Sequence, residues 1–105
     1  MVVVRGESMT PTLRPGEVVV VWKPFRGVRA GQVVVYRDRF DDRLRVKRVV
    51  SVGPDGTLSV RGDNVVLSST PGDLGPVGGR QVVGVGVVRI ALGRSGSPLR
   101  YHLVR

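Results

Sequence analysis

Valine sets the pattern of this chain. It recurs in short runs, each closed by glycine, proline or aspartate, and β-branched runs bounded by turn formers predict strands. The reading gives strands over residues 1–5, 17–22 ("EVVVVW"), 32–37 ("QVVVYR"), 43–53 ("RLRVKRVVSVG"), 57–61 ("TLSVR") and 81–92. "DRFDD" at 38–42 is a polar connection, and "GPDGT" at 53–57 is a strong turn signal, so residues 43–61 form a hairpin. "NVVLSSTPGDLGPVGG" at 64–79 reads as a long loop, and ordered loops of that length tend to be functional. No amphipathic helix longer than one or two turns, no internal repeat and no linker interrupts this order. The expected fold is a single all-β domain over residues 1–105.

Composition narrows the function more than the fold. A chain of 105 residues can bury roughly 60–68% of its unfolded surface in one core. With 41% hydrophobic and 24% charged residues it is expected to be ordered. It has no cysteine, which excludes a disulfide framework, a thiolate nucleophile and a zinc knuckle. The single histidine, His102, sits beside Tyr101 near the end of the sequence, so histidine triads and histidine metal sites are not expected. No metal and no cofactor is called for. The formal charge of +9 invites a nucleic acid or an anionic surface as partner. Against that, the arginines are dispersed and only five aromatics (one Trp, two Tyr, two Phe) are available for base stacking. A basic β-barrel that binds RNA or DNA is the rival reading, and specific nucleic-acid binding is not expected. No run reaches the ~18 apolar residues of a spanning helix. "VVGVGVVRIAL" at 82–92 is too short and holds Arg89.

One stretch does not fit the strand pattern. "GESMTPTLRPGE" at 6–17 places Pro11 and Pro15 close together, which neither a strand nor a helix tolerates. A stiff, non-repetitive loop that carries Ser8 suggests a hydroxyl held in a set position. A serine becomes a nucleophile only when a base within hydrogen-bond reach takes its proton. With no usable histidine, the partner left is a neutral lysine. Lys23 precedes Pro24 at a strand end, where a solvated ammonium is the ordinary state. Lys47 lies inside "VKRVV", and strand alternation sends Lys47 and Val49 to one face, Val46 and Arg48 to the other. Such a lysine either snorkels to the surface or is desolvated and serves as a general base. The S-x-x-K pattern that puts both groups on one helix is absent, so Ser8 and Lys47 can meet only by folding.

Three segments together resemble the type I signal peptidase family of serine–lysine proteases. "SMTPTLRPGE" at 8–17 resembles its nucleophile box, and "VKRVV" at 46–50 is similar to its lysine box, 39 residues from Ser8 to Lys47. "RGDN" at 61–64, with Ser68 and "GPV" at 75–77, looks like its third box. The resemblance implies a small, coiled, mostly antiparallel β fold of the signal-peptidase/LexA-like type. It implies Ser8 as nucleophile, Lys47 as general base and Ser68 as the group that orients the lysine. Met9 would help wall the site, while Asp63 and Asn64 would shape the turn beneath it. The strands flanking the nucleophile, expected here to be "EVVVVW" and "QVVVYR", would hold the substrate as an added strand, with small residues preferred at the first and third positions before the cut.

Three departures from that family pattern qualify the expectation. Many bacterial members carry a serine where this chain has Gly6, so the oxyanion is expected to rest on the Ser8 backbone N–H. The third box usually continues S-x-D-S-R, whereas this chain reads Ser68-Ser69-Thr70-Pro71-Gly72, with Asp73 nearby. Only seven residues precede Ser8, leaving no room for the family's membrane anchor. A chain complete as given is expected in the cytoplasm; one that has lost an anchor belongs on the extracytoplasmic face of the membrane, where it could associate with the bilayer. Short members with G-x-S-M resemble the proteases proposed to mature nickel-type superoxide dismutase. The related LexA-type self-cleaving domains share the Ser–Lys chemistry and G-x-S-M, but no Ala-Gly or Cys-Gly cleavage site precedes Ser8. The expected activity is a serine endopeptidase that removes an N-terminal leader or signal peptide from a precursor protein. The alternatives are the nucleic-acid-binding barrel and an inactive scaffold of the same family.

Overall fold

A computed structural model of the chain describes residues 2–23, 27–64, 76–91 and 100–103. The valine runs become strands β1 (Val2–Val3), β2 (Val18–Trp22), β3 (Val33–Arg37), β4 (Leu44–Val52), β5 (Leu58–Arg61), β6 (Pro76–Val77), β7 (Val82–Ala91) and β8 (Arg100–Leu103). They form one sheet in the order β1-β2-β7-β3-β4-β5-β6, and every pairing is antiparallel. β7 is the long central strand. β2 runs along one of its edges, while β3 and then β8 share the other. Among the described residues there is no α-helix, and no helix is long and apolar enough to cross a membrane.

The sheet curls, and the sequence shows why β7 can be its bend. A Cβ on Gly84 would stand 2.6 Å from Val21 Cγ1 and 2.9 Å from the Trp22 carbonyl oxygen. One on Gly86 would stand 2.8 Å from Val19 Cγ1. Glycine is what lets β2 cross β7 so closely, and the register shifts at Val20/Val21 and at Val35/Tyr36 add bulges that deepen the bend. Because the sheet wraps on itself, β3 is buried on both faces. Val34 and Tyr36 pack with Val49, Leu58, Val60 and Val77, while Val33 packs with Val4, Met9, Leu13 and Val19. That explains an unbroken "VVV" where a one-sided sheet would alternate. β5 does alternate, Leu58 and Val60 inward, Ser59 and Arg61 outward.

The predicted hairpin forms. Its turn is closed by the Gly53 N–H to the Thr57 carbonyl (2.8 Å), with the Asp55 carboxylate accepting from the Thr57 N–H and hydroxyl. Gly56, at φ +84°, takes the left-handed position the turn requires. Two expectations need correction. The stretch read as one loop over 64–79 contains strand β6, which pairs Val77 with Leu58, and a 3₁₀ turn at Gly79–Gln81 follows. Two residues between glycines are too few to show a period, and Pro76 is tolerated because an edge strand does not need its N–H. Strand β8 was also missed, because "RYHL" carries no valine run. Residues 65–75 of the predicted loop lie outside the described residues.

Candidate active site

The segment between β1 and β2 is a stapled loop. At its neck the Val4 N–H donates to the Glu17 carbonyl (2.7 Å) and the Gly16 N–H to the Val4 carbonyl (2.8 Å). Within it the Thr10 N–H and hydroxyl both donate to the Glu7 carbonyl, and the Leu13 N–H donates to the Met9 carbonyl. Met9 and Leu13 are driven into the core, the apolar anchor that keeps the loop down. The Thr10–Pro11 peptide is cis. Ser8, half-buried, is held between the sunken Met9 and the exposed Glu7. Gly6 has φ +73°, a conformation that costs an L side chain roughly 1–2 kcal/mol. The backbone itself therefore favours glycine at this position, where the lack of a serine departs from the sequence expectation.

Lys47 comes from β4, opposite Val34 of β3. It is 6% exposed, and the alternation holds: Lys47 and Val49 point inward, Val46 and Arg48 are half-buried. Snorkelling is thus not what this lysine does. Ser8 and Lys47, far apart in sequence, line the same cleft of about 720 Å³. Its described walls are Val2 to Arg5 on one side and Arg43 to Lys47 on the other, with Met9 beside Ser8.

Those walls correct a further expectation. "EVVVVW" and "QVVVYR" do not flank the cleft. β3 is taken up on both edges by β7 and β4, while β2 is paired along its length by β7 and at Val18 and Val19 by β1, and no residue of either strand lines the cleft. β1 ends the sheet, and β5 takes up the second edge of β4 only from Arg48 onward. The curl brings the outer edge of β1 round to the first half of β4, and the cleft is the seam between them.

A polar clamp fastens the serine loop to the lysine strand. Arg48 donates through Nε to Asp63 Oδ1 (2.9 Å) and through Nη2 to Oδ2 (2.7 Å), a bidentate pair. The same carboxylate accepts from the Thr12 hydroxyl in the serine loop. The Asn64 N–H donates to the Ser8 carbonyl (2.7 Å), and its side-chain amide donates to the Glu7 carbonyl and the Thr10 hydroxyl. A second tie comes from β7, where Arg89 donates to the Thr12 carbonyl (2.6 Å) near the buried Glu17. Asp63 and Asn64 thus hold the loop from beside it, gripping both carbonyls that bracket Ser8. Ser68 lies outside the described residues. Thr12, Arg48, Arg89 and Glu17 were missed by sequence reasoning. For Arg48 the signal was present, since a half-outward arginine beside Lys47 and an aspartate in "RGDN" are complementary charges.

Burial pushes the Asp63 carboxyl up, but the hydrogen bonds from Arg48 and Thr12 and the Arg48 charge outweigh it and hold the group below the usual carboxylate range. A depressed folded value means stability that is present above the unfolded value of ~3.9 and is lost as pH falls through the folded one. Asp63→Asn is therefore expected to cost about 2 kcal/mol at pH 7, because it leaves the Arg48 guanidinium without its counter-charge. Urea unfolding checks this: the gap between wild type and variant should narrow as pH is taken below about 4. A gap that stays constant with pH would show that the pair is not responsible.

An all-β sheet curled about a cleft, with a stapled serine on one wall and a buried lysine on the other, is a scaffold suited to peptide hydrolysis. Residues 1–70 match the family described as Peptidase S24-like, and the matched segment contains β1 to β5 and the whole cleft wall. The chain belongs to the Peptidase S24-like family. The match is consistent with the signal-peptidase/LexA-like resemblance carried by Ser8, Met9 and Lys47. No curated protein and no solved structure matches the chain.

Proposed function

We propose that this protein is a serine endopeptidase in which Ser8 attacks the scissile carbonyl and Lys47 takes the Ser8 proton. The observation that carries the reading is that the half-buried Ser8 and the buried Lys47 line one cleft. In the acylation step the Ser8 Oγ–C bond forms as the proton passes to Lys47 Nζ. The developing oxyanion is met by the Ser8 N–H. Lys47 then returns the proton to the leaving amine as the peptide C–N bond breaks. Lys47 Nζ then deprotonates a water that attacks the acyl carbon, and it passes that proton to Ser8 Oγ as the acyl C–Oγ bond breaks, freeing the acid and restoring Ser8.

The substrate we propose is an extended N-terminal leader segment of a precursor protein, added as a strand in the seam between β1 and β4. Backbone pairing supplies affinity there and side-chain pockets supply selectivity. Val4, Met9 and Val46 leave apolar walls beside Ser8, so small residues are preferred at the first and third positions before the cut. The resemblance to the short maturation proteases makes the nickel-type superoxide dismutase precursor the first natural substrate to test. Digestion of a peptide library by the purified protein should show that preference, partial against slightly larger residues because one methylene is worth only ~1–3 kcal/mol. A preference for large side chains at both positions would sink the pocket assignment.

A further inference from the structure

Among the described residues that line the cleft there are three arginines, Arg5, Arg43 and Arg45, beside Lys47, and no carboxylate. Strand alternation puts Arg43, Arg45 and Lys47 on one face of the same wall, spaced by two residues. The Arg45 charge is already answered: its guanidinium meets Asp41 Oδ2 at 2.5 Å and Asp38 Oδ2 at 3.3 Å. Neither Arg5 nor Arg43 has a carboxylate within ion-pair distance among the described residues, although the Arg43 N–H, and with it the Arg43 charge, helps to hold the Asp41 carboxyl below its usual range. Arg43 is exposed, but its base is rigid, since its N–H donates to Asp41 Oδ1 and its carbonyl accepts from the Asp38 N–H. A guanidinium carried on a fixed backbone at the cleft, next to an Arg45 that already meets two carboxylates, is poised to meet a further one.

For a substrate that runs in the same sense as both walls, that carboxylate lies before the scissile bond. Four antiparallel steps separate β1 from β4 in the sheet, so the two walls run in the same sense. Both lead toward Ser8 and Lys47 at one end of the seam, with Arg43 at the other. Four residues of extended chain from Lys47 back to Arg43 span roughly 13 Å, the length of four residues of an extended substrate.

Resting on the endopeptidase reading above, we propose that Arg43 is a specificity determinant that selects substrates with an acidic residue four or five positions before the scissile bond. The contact is made equally before and during the reaction, so it acts on KM and leaves kcat alone. Being solvent-exposed, it weakens as salt screens it.

The test uses extended peptides that differ only in Glu, Gln or Lys at the fourth position before a small-residue cut site. Their binding to the uncleaving Ser8→Ala protein is measured by fluorescence anisotropy, and their cleavage by the wild type is measured in parallel. At low salt the Glu peptide should bind about fivefold to tenfold more tightly than the Lys peptide, with the gap shrinking at 0.5 M salt. In a protein carrying both Ser8→Ala and Arg43→Glu the order should invert. Equal binding of the three peptides, or an order unchanged by Arg43→Glu, would overturn the proposal. The binding readout keeps the two ideas separate: a wild type that cuts none of the peptides removes the peptidase reading, whereas the Arg43 assignment stands or falls on the inversion.

Discussion

Ser8→Ala is expected to lower kcat/KM for peptide cleavage by at least about 10³-fold, because removing a nucleophile removes the acyl-transfer pathway itself. The same change should leave unfolding free energy within about 0.5 kcal/mol of wild type. The structural reason is that, among the described residues, the bonds that hold the loop do not use the hydroxyl. The Asn64 N–H bonds the Ser8 carbonyl, the Asn64 amide bonds Glu7 and Thr10, and Met9 and Leu13 supply the burial. All of these survive in the alanine variant. Circular dichroism and a cleavage assay on one preparation separate the two effects. An alanine protein that still cuts at wild-type rate would remove Ser8 from the mechanism.

Much of the fold was legible because the core is made by one residue type under one rule. Valine runs between turn formers gave six strands near their observed places, and "GPDGT" gave the hairpin. What failed was what periodicity cannot carry: β6 is two residues long, and β8 has a mixed composition. The position of Lys47 on the Val49 face was readable from alternation. The walls of the cleft were not, because a strand's own residues do not say whether its edges are taken. β2 and β3 are valine-rich candidates, yet β3 is paired on both sides and β2 lies against β7 with its first residues also paired to β1, so neither lines the cleft. The clamp was half visible: Asp63 and Asn64 stood out as a motif, but their targets in the serine loop, Thr12 and two backbone carbonyls, exist only once the chain has folded.

Lys47→Arg is the substitution that tests the base assignment most sharply. It keeps the positive charge and the long stem, so a role in attracting substrate or filling space would be largely retained. A guanidinium, however, stays protonated in a protein and cannot accept the Ser8 proton. Cleavage is therefore expected to fall by about 10³-fold or more, as it does when a member of a nucleophile–base pair is removed. Lys47→Met, close in length and without charge, should be equally inactive while the β3–β4 pairing around Val34 keeps it folded. One further readout distinguishes a base from a structural strut. The double variant Ser8→Ala with Lys47→Met should be no slower than either single one, since two groups acting as a unit are lost together. Strict additivity of the two losses, or an active arginine variant, would mean that Lys47 holds up the cleft wall and that some other group activates Ser8.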